Sequence, residues 1–211
     1  MALAAIVFDC DGVILESADI KTQGFAHVGG AFGPEKQQRL IDYHADRGGV
    51  SRLLKFDWFY REVLGREPSR ADIAEMDARF CAFCDAAIAA APFVPGFLET
   101  FTAWRGRLPL YVASGAPQAD MAKYLGPRGI MESFAGVFGS PPAKAELLRR
   151  IIESGPYRPA EVLMVGDART DLEAAESNGT LFYGRGKYFD GKGCPWGPDL
   201  TGLPAYIDSL L

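Results

Sequence analysis

Two aspartates one residue apart, Asp9 and Asp11, close a short apolar run, Ala5-Ile6-Val7-Phe8, and lead into Gly12. A strand-to-loop turn here can aim both carboxylates into one pocket and expose the backbone N–H groups of Cys10 to Gly12. Such a pair can divide the labour of a displacement: one carboxylate attacks and splits a hard step into two easier ones, and the other shuttles the proton. Ser114-Gly115 and Gly166-Asp167 follow two further apolar runs, and Asp171 lies four residues past Asp167 at the start of a predicted helix, so that both acids can approach one cation. Magnesium suits carboxylate, carbonyl and water oxygens combined with a substrate phosphate. Taken singly, each residue has an ordinary reading: a solvated turn at Asp9-x-Asp11, a turn serine at Ser114, a surface lysine at Lys144, a helix N-cap at Asp167.

The elements that must position these residues are four apolar runs that read as buried strands: Ala5 to Phe8, Leu110 to Ala113, Val162 to Val165 and Thr180 to Tyr183. Such near-continuous runs suit a parallel sheet covered on both faces. Amphipathic stretches intervene, with Phe97, Leu98, Phe101 and Trp104 on one stripe and Leu147, Leu148, Ile151 and Ile152 on another. The alternation predicts an α/β fold, and in open α/β sheets ligands bind beyond the carboxyl ends of the strands, where these polar residues fall. The segment from 16 to 91 carries no convincing strand and contains helix-like blocks at Leu53 to Leu64 and Ala71 to Ala90. It reads as a helical insertion after the first strand, which leaves 1–15 and 92–211 as the core. Tyr183 to Pro198 is glycine-rich and reads as a surface loop.

Composition narrows the function. The 211 residues are 48% hydrophobic and 23% charged, ample for a packed core, and 22 basic against 27 acidic residues give a net charge of −5 without the basic footprint of nucleic-acid binding. No run reaches the roughly 20 apolar residues that span a bilayer, and the first eight residues lack the basic flank and cleavage site of a leader, so a soluble cytoplasmic protein is the expectation. Four cysteines are too few for a disulfide scaffold, Cys81-x-x-Cys84 reads as packing within a helix, and two histidines make a histidine-based metal site a poor fit.

In order, Asp9-Cys10-Asp11-Gly12-Val13, Ser114-Gly115, Lys144 and Gly166-Asp167-x-x-x-Asp171 resemble the haloacid dehalogenase-like hydrolase superfamily over nearly the whole chain, and the inserted helical segment is similar to the cap that many members carry. The resemblance implies a Rossmann-like parallel-sheet core. It makes Asp9 the nucleophile that becomes an aspartyl phosphate and Asp11 the acid and base. Asp11 with Gly12, Ser114, Gly115 and Lys144 would contact the phosphoryl group. Mg2+ would be held by the Asp9 side chain, the Asp11 carbonyl, Asp167, and Asp171 directly or through water. Asp11 also argues against the dehalogenase branch, which needs no such acid, and points to a phosphate ester.

The cap should then select the substrate. Its stretch Tyr43 to Arg52 offers Arg47, Gly49 and Arg52, and Gly49-Val50-Ser51-Arg52 resembles a cap loop of β-phosphoglucomutases in which the arginine grips a second phosphate; a helix-connecting turn with solvated arginines is the plain alternative. Those mutases carry a hinge histidine where this chain has Lys21. Lys21 and Lys55 also raise the phosphonoacetaldehyde hydrolase branch, in which a cap lysine forms a Schiff base. Ser17 to Thr22 with the Gly-Gly-Val-Ser-Arg loop is similar to phosphatase-like members associated with surface polysaccharides, which points to a sugar phosphate. The expected activity is a magnesium-dependent phosphatase, related to phosphoglycolate phosphatases, acting on a small phosphate ester as a monomer or homodimer. A phosphosugar mutase and a non-catalytic phosphometabolite-binding protein are the alternatives.

Overall fold

In the computed structural model, which describes residues 2–211, β1 (Ala5–Phe8) is the interior strand from which a parallel sheet grows in both directions. The chain passes through α1 (Ala18–Gly29), α2 (Pro34–Asp46), α3 (Arg52–Trp58) and α4 (Arg70–Ala90), then returns by α5 (Phe97–Trp104) to β2 (Leu110–Pro117). Beyond it, α6 (Gln118–Leu125), β3 (Gly136–Ser140), α7 (Lys144–Ser154), β4 (Val162–Gly166), α8 (Arg169–Asn178), β5 (Leu181–Arg185), the two-residue β6 (Trp196–Gly197) and α9 (Leu203–Asp208) complete the chain. The order across the sheet is β3-β2-β1-β4-β5-β6, with all neighbours parallel. Winding reverses at β1, so the carboxyl ends of β1, β2 and β4 border one crevice.

Alternation along the strands divides the core. Ala5 and Val7 face α7 and α8 among Leu147, Leu148, Ile151 and Ala174, while Ile6 and Phe8 face α5. Phe97 is fully buried there, edge-on to Phe8 with ring centroids 5.6 Å apart, a burial that contributes about 1.5–3 kcal/mol. The same apolar cluster runs without a break into the helical segment through Phe25, Phe56 and Phe80. The two crossings to that segment lie side by side: Glu16 N–H donates to the Pro92 carbonyl (3.0 Å) and Val94 N–H to the Ile14 carbonyl (3.0 Å). The last carbonyls of α4 receive the Arg128 guanidinium from the sheet side, at Ile88 (3.1 Å) and Ala89 (2.9 Å), where a cation also meets the negative helix end.

All four predicted strands are present, and two were missed. β3 carries two glycines in five residues and lies at the sheet edge with Phe138 exposed, so it lacks the apolar signature of a covered strand. β6 falls inside the stretch expected to be loop and is too short to show a period. The predicted helix at 53–64 is α3 followed by a wider turn at Phe59–Val63. Cys84 packs against the Cα of Gly24 inside the helical segment, and all four cysteines are free thiols. Among the described residues, no helix is long and apolar enough to cross a membrane.

Candidate active site

The turn after β1 fixes Asp9 by its own backbone: Cys10 N–H donates to Asp9 Oδ1 at 2.6 Å, while Oδ2 faces Lys144 Nζ at 2.7 Å. Lys144 opens α7 and also binds Asp171 Oδ1, and all three side chains are almost fully buried. Burial alone would lower the Lys144 pKa, but Asp171 and Asp9 outweigh it and hold the ammonium charged. Burial raises the Asp9 pKa, with Lys144 acting in the opposite sense. Ser114, buried in β2, accepts the Ala116 N–H at its Oγ (3.1 Å), which leaves its hydroxyl proton free to donate.

Carboxylate oxygens of Asp9, Asp167 and Asp171 lie within 4.8 Å of one another. The two acids after β4 are nevertheless unlike. Asp171 has both oxygens taken, Oδ1 by Lys144 and Oδ2 by the N–H groups of Ala168 (3.0 Å) and Asp167 (3.2 Å). Asp167 receives no hydrogen bond from any described residue and is pressed so close to Gly12 that a Cβ there would stand 2.0 Å from its Oδ2. Burial, then Asp9 and Asp171, push its pKa well up, so a cation is what would let it ionise. Asp9 and Asp167 therefore fit a hard divalent ion, and Asp171, in the same cluster, has its oxygens engaged by Lys144 and the turn.

Between sheet and helical segment lies a cavity of about 580 Å³, walled by Asp9, Asp11, Ser114, Gly115 and Asp167 below and by Lys21, His44, Gly49, Arg52 and Lys55 above. The loop after α2 rests on the sheet ends: Thr170 Oγ1 donates to the Gly48 carbonyl at 2.7 Å, and a Cβ on Gly115 would fall 1.8 Å from the Gly49 carbonyl. Gly49 has φ +76° and would itself strike Thr170, so this contact requires glycine on both sides. Lys21 pairs with Asp11, which also accepts from Ser17 Oγ at 2.6 Å. Burial opposes ionisation of Asp11, but Lys21 outweighs it and lowers the Asp11 pKa.

Three expectations need correction. Gly12 does not line the cavity, and its N–H goes to the Leu15 carbonyl (2.8 Å); with Cys10 N–H on Asp9, the turn does not present the three donors expected for phosphate. Arg47 also lies off the cavity wall, its side chain 56% exposed beside Asp46. Arg52 is on the wall, yet its guanidinium is shared by Asp77 of α4, Asp120 of α6 and Cys81 Sγ (3.3 Å), so it ties the helical segment to the sheet side instead of standing free for a second phosphate. Thr22 and His44 entered the sequence reading only as members of longer stretches and Phe25 not at all, because only the packing of α1 against α2 brings them together.

A model of the haloacid dehalogenase-like hydrolases matches residues 3–179. The chain belongs to this hydrolase family. No curated protein matches it. Solved structures of similar fold include a β-phosphoglucomutase from Clostridium difficile (17% identity, 98% of this chain and 96% of that one, TM-score 0.79) and a predicted phosphoglycolate phosphatase from Haemophilus somnus (18%, 97% and 97%, 0.75). CbbY from Rhodobacter sphaeroides, solved in complex with phosphate, is similar over 98% and 99% of the two chains at 17% identity and a TM-score of 0.76.

Two outcomes are expected from this hydrolase site. A divalent cation at about 100 times its dissociation constant should stabilise the protein by about 2.7 kcal/mol in thermal unfolding, and Asp167→Asn should erase that gain; an equal shift in both proteins would contradict the assignment. Arg52→Ala should cost about 3–5 kcal/mol in denaturant unfolding, because it leaves Asp120 buried and unpaired. A loss below about 1 kcal/mol would show that the clasp contributes little.

Proposed function

We propose that this hydrolase is a magnesium-dependent phosphatase of a small phosphorylated metabolite, working through an aspartyl phosphate on Asp9, with residues 16–91 as the cap. The observation that carries the reading is the convergence on one cavity of a lysine-bound carboxylate, Asp9, a second carboxylate two residues on, Asp11, and a hydroxyl with its proton free, Ser114.

Asp9 Oδ attacks phosphorus as the bond from phosphorus to the ester oxygen breaks, and the Asp11 carboxyl gives its proton to the departing alkoxide. Asp11, now a carboxylate, takes a proton from water as that water attacks phosphorus and the bond to Asp9 breaks, returning Asp9 and releasing phosphate. Ser114 donates to an equatorial oxygen with the Gly115 N–H beside it, and Lys144 offsets charge on nucleophile and phosphoryl group. Magnesium, held by Asp9, Asp167 and the Asp11 carbonyl, would supply charge neutralisation and in-line alignment. Lys21 keeps Asp11 ionised while the cap is down, the form needed as a base. The first step needs Asp11 protonated, so Lys21 must leave Asp11 as the leaving oxygen of the ester takes its place beside that carboxyl. The position of Lys21 is the one at which the resembling mutases carry a histidine, which favours hydrolysis over return of the phosphoryl group to substrate.

Phosphate release from sugar phosphates, phosphoglycolate, nucleotides and phosphonoacetaldehyde tests the reading. Release should require magnesium, stop with chelator, and fall by at least about 1,000-fold in Asp9→Asn. Turnover by Asp9→Asn at the wild-type rate would contradict it.

A further inference from the structure

Lys55 is 1% exposed and lies on the cap side of the cavity wall. The other buried cations all have carboxylate partners: Lys144 has Asp9 and Asp171, and Arg52 has Asp77 and Asp120. Lys21 on the same wall has Asp11. Lys55 has none among the described residues; its Nζ meets only His44, at Nδ1 (2.8 Å) and at the main-chain carbonyl (3.4 Å), and stands 5.2 Å from the centroid of the Phe25 ring.

The surroundings of this amine are built to leave it so. His44 stacks on Phe25 with centroids 4.2 Å apart, and its Nε2 lies 3.2 Å from Thr22 Oγ1, which donates to the Ala18 carbonyl at 3.2 Å. With that hydroxyl proton committed, Nε2 carries the ring proton and Nδ1 accepts from Lys55. Burial, then Lys55 and Lys21, lower the His44 pKa to about 3, so the ring is neutral and offers no charge to Lys55. Burial, then Lys21 and Lys144, lower Lys55 to about 7, and no carboxylate offsets them. A buried amine held at one end by neutral acceptors, in a cavity that admits solutes, lacks its anion.

We propose that Lys55 and the neutral His44 that orients it form the recognition site for a second anionic group on the substrate, separate from the transferred phosphoryl group, so that the preferred esters carry a carboxylate or a second phosphate. This rests on the phosphatase reading and narrows its substrate class. The core already assigns Asp9, Ser114 and Lys144 to the transferred phosphoryl group. Lys55 sits on the part of the wall that residues 16–91 supply, and an anion there would give this buried amine the acidic partner it lacks among the described residues.

Three esters on one hexose ring test it: a hexose 1-phosphate, the hexuronic acid 1-phosphate and the hexose 1,6-bisphosphate. Calorimetric binding to Asp9→Asn with magnesium reads recognition without turnover. At least one of the two esters with a second anionic group should bind about 10-fold tighter than the hexose 1-phosphate, roughly 1.4 kcal/mol, and the ratio should fall to about 2 or less when Lys55→Gln or Lys55→Met is added. Which anionic ester gains tells carboxylate from phosphate. Equal binding of all three, no binding of either ester with a second anionic group, or a preference that survives both substitutions would overturn the proposal. So would an aldehyde-bearing phosphate found bonded to Lys55 after borohydride, which would make the amine a nucleophile. The phosphatase reading fails separately, by absence of phosphate release from wild-type protein whatever the binding ratios are.

Discussion

The Lys144 ammonium, buried between the carboxylates of Asp9 and Asp171, is the interaction on which the rest of the site depends. Each of these ions would cost several kcal/mol to bury alone, and only their mutual pairing makes the cluster tenable. That pairing joins three separate pieces of chain: the turn after β1, the first residue of α7 and the first turn of α8. Asp171 extends it by accepting two backbone N–H groups, which shapes the loop that carries Asp167. Asp167 is thereby left facing Asp9 with no hydrogen bond from any described residue to its carboxylate. The gathering of the Asp9, Asp167 and Asp171 carboxylates thus follows from the pairing of Lys144 with Asp9 and Asp171.

The cap is attached by different means. Its apolar core is continuous with that of the sheet, but the contacts directly over the site are polar and few: Thr170 with the Gly48 carbonyl, Arg52 with Asp120, Lys21 with Asp11. The close approach of Gly49 to Gly115 leaves the covered cavity narrow at that point. The paired crossings at residues 14–16 and 92–94 hold the segment in register with the sheet. The counterion of Asp11, Lys21, is carried by α1 of the same segment.

Much of this was legible in the sequence for a physical reason: strands buried on both faces must be continuously apolar, and the first polar residue after each marks the ligand-binding edge. Asp9, Asp11, Ser114 and Asp167 were visible in that way, and Lys144 and Asp171 by their place in the motif order. The division of labour between Asp167 and Asp171 was not, since it turns on which oxygens the backbone claims. Nor was the fate of Arg52, whose partners lie 25 and 68 residues away on α4 and α6. His44 and Lys55 are eleven residues apart on two helices and acquire meaning only when those helices pack.

The central claim is that Asp9 carries the phosphoryl group. Acid-quenched protein, mixed briefly with magnesium and a turned-over ester, should show by peptide mass spectrometry a phosphoryl group on Asp9 that vanishes after hydroxylamine treatment. A peptide containing Asp9 that stays unmodified while phosphate is released at full rate, or a phosphoryl group found on another residue, would contradict the account.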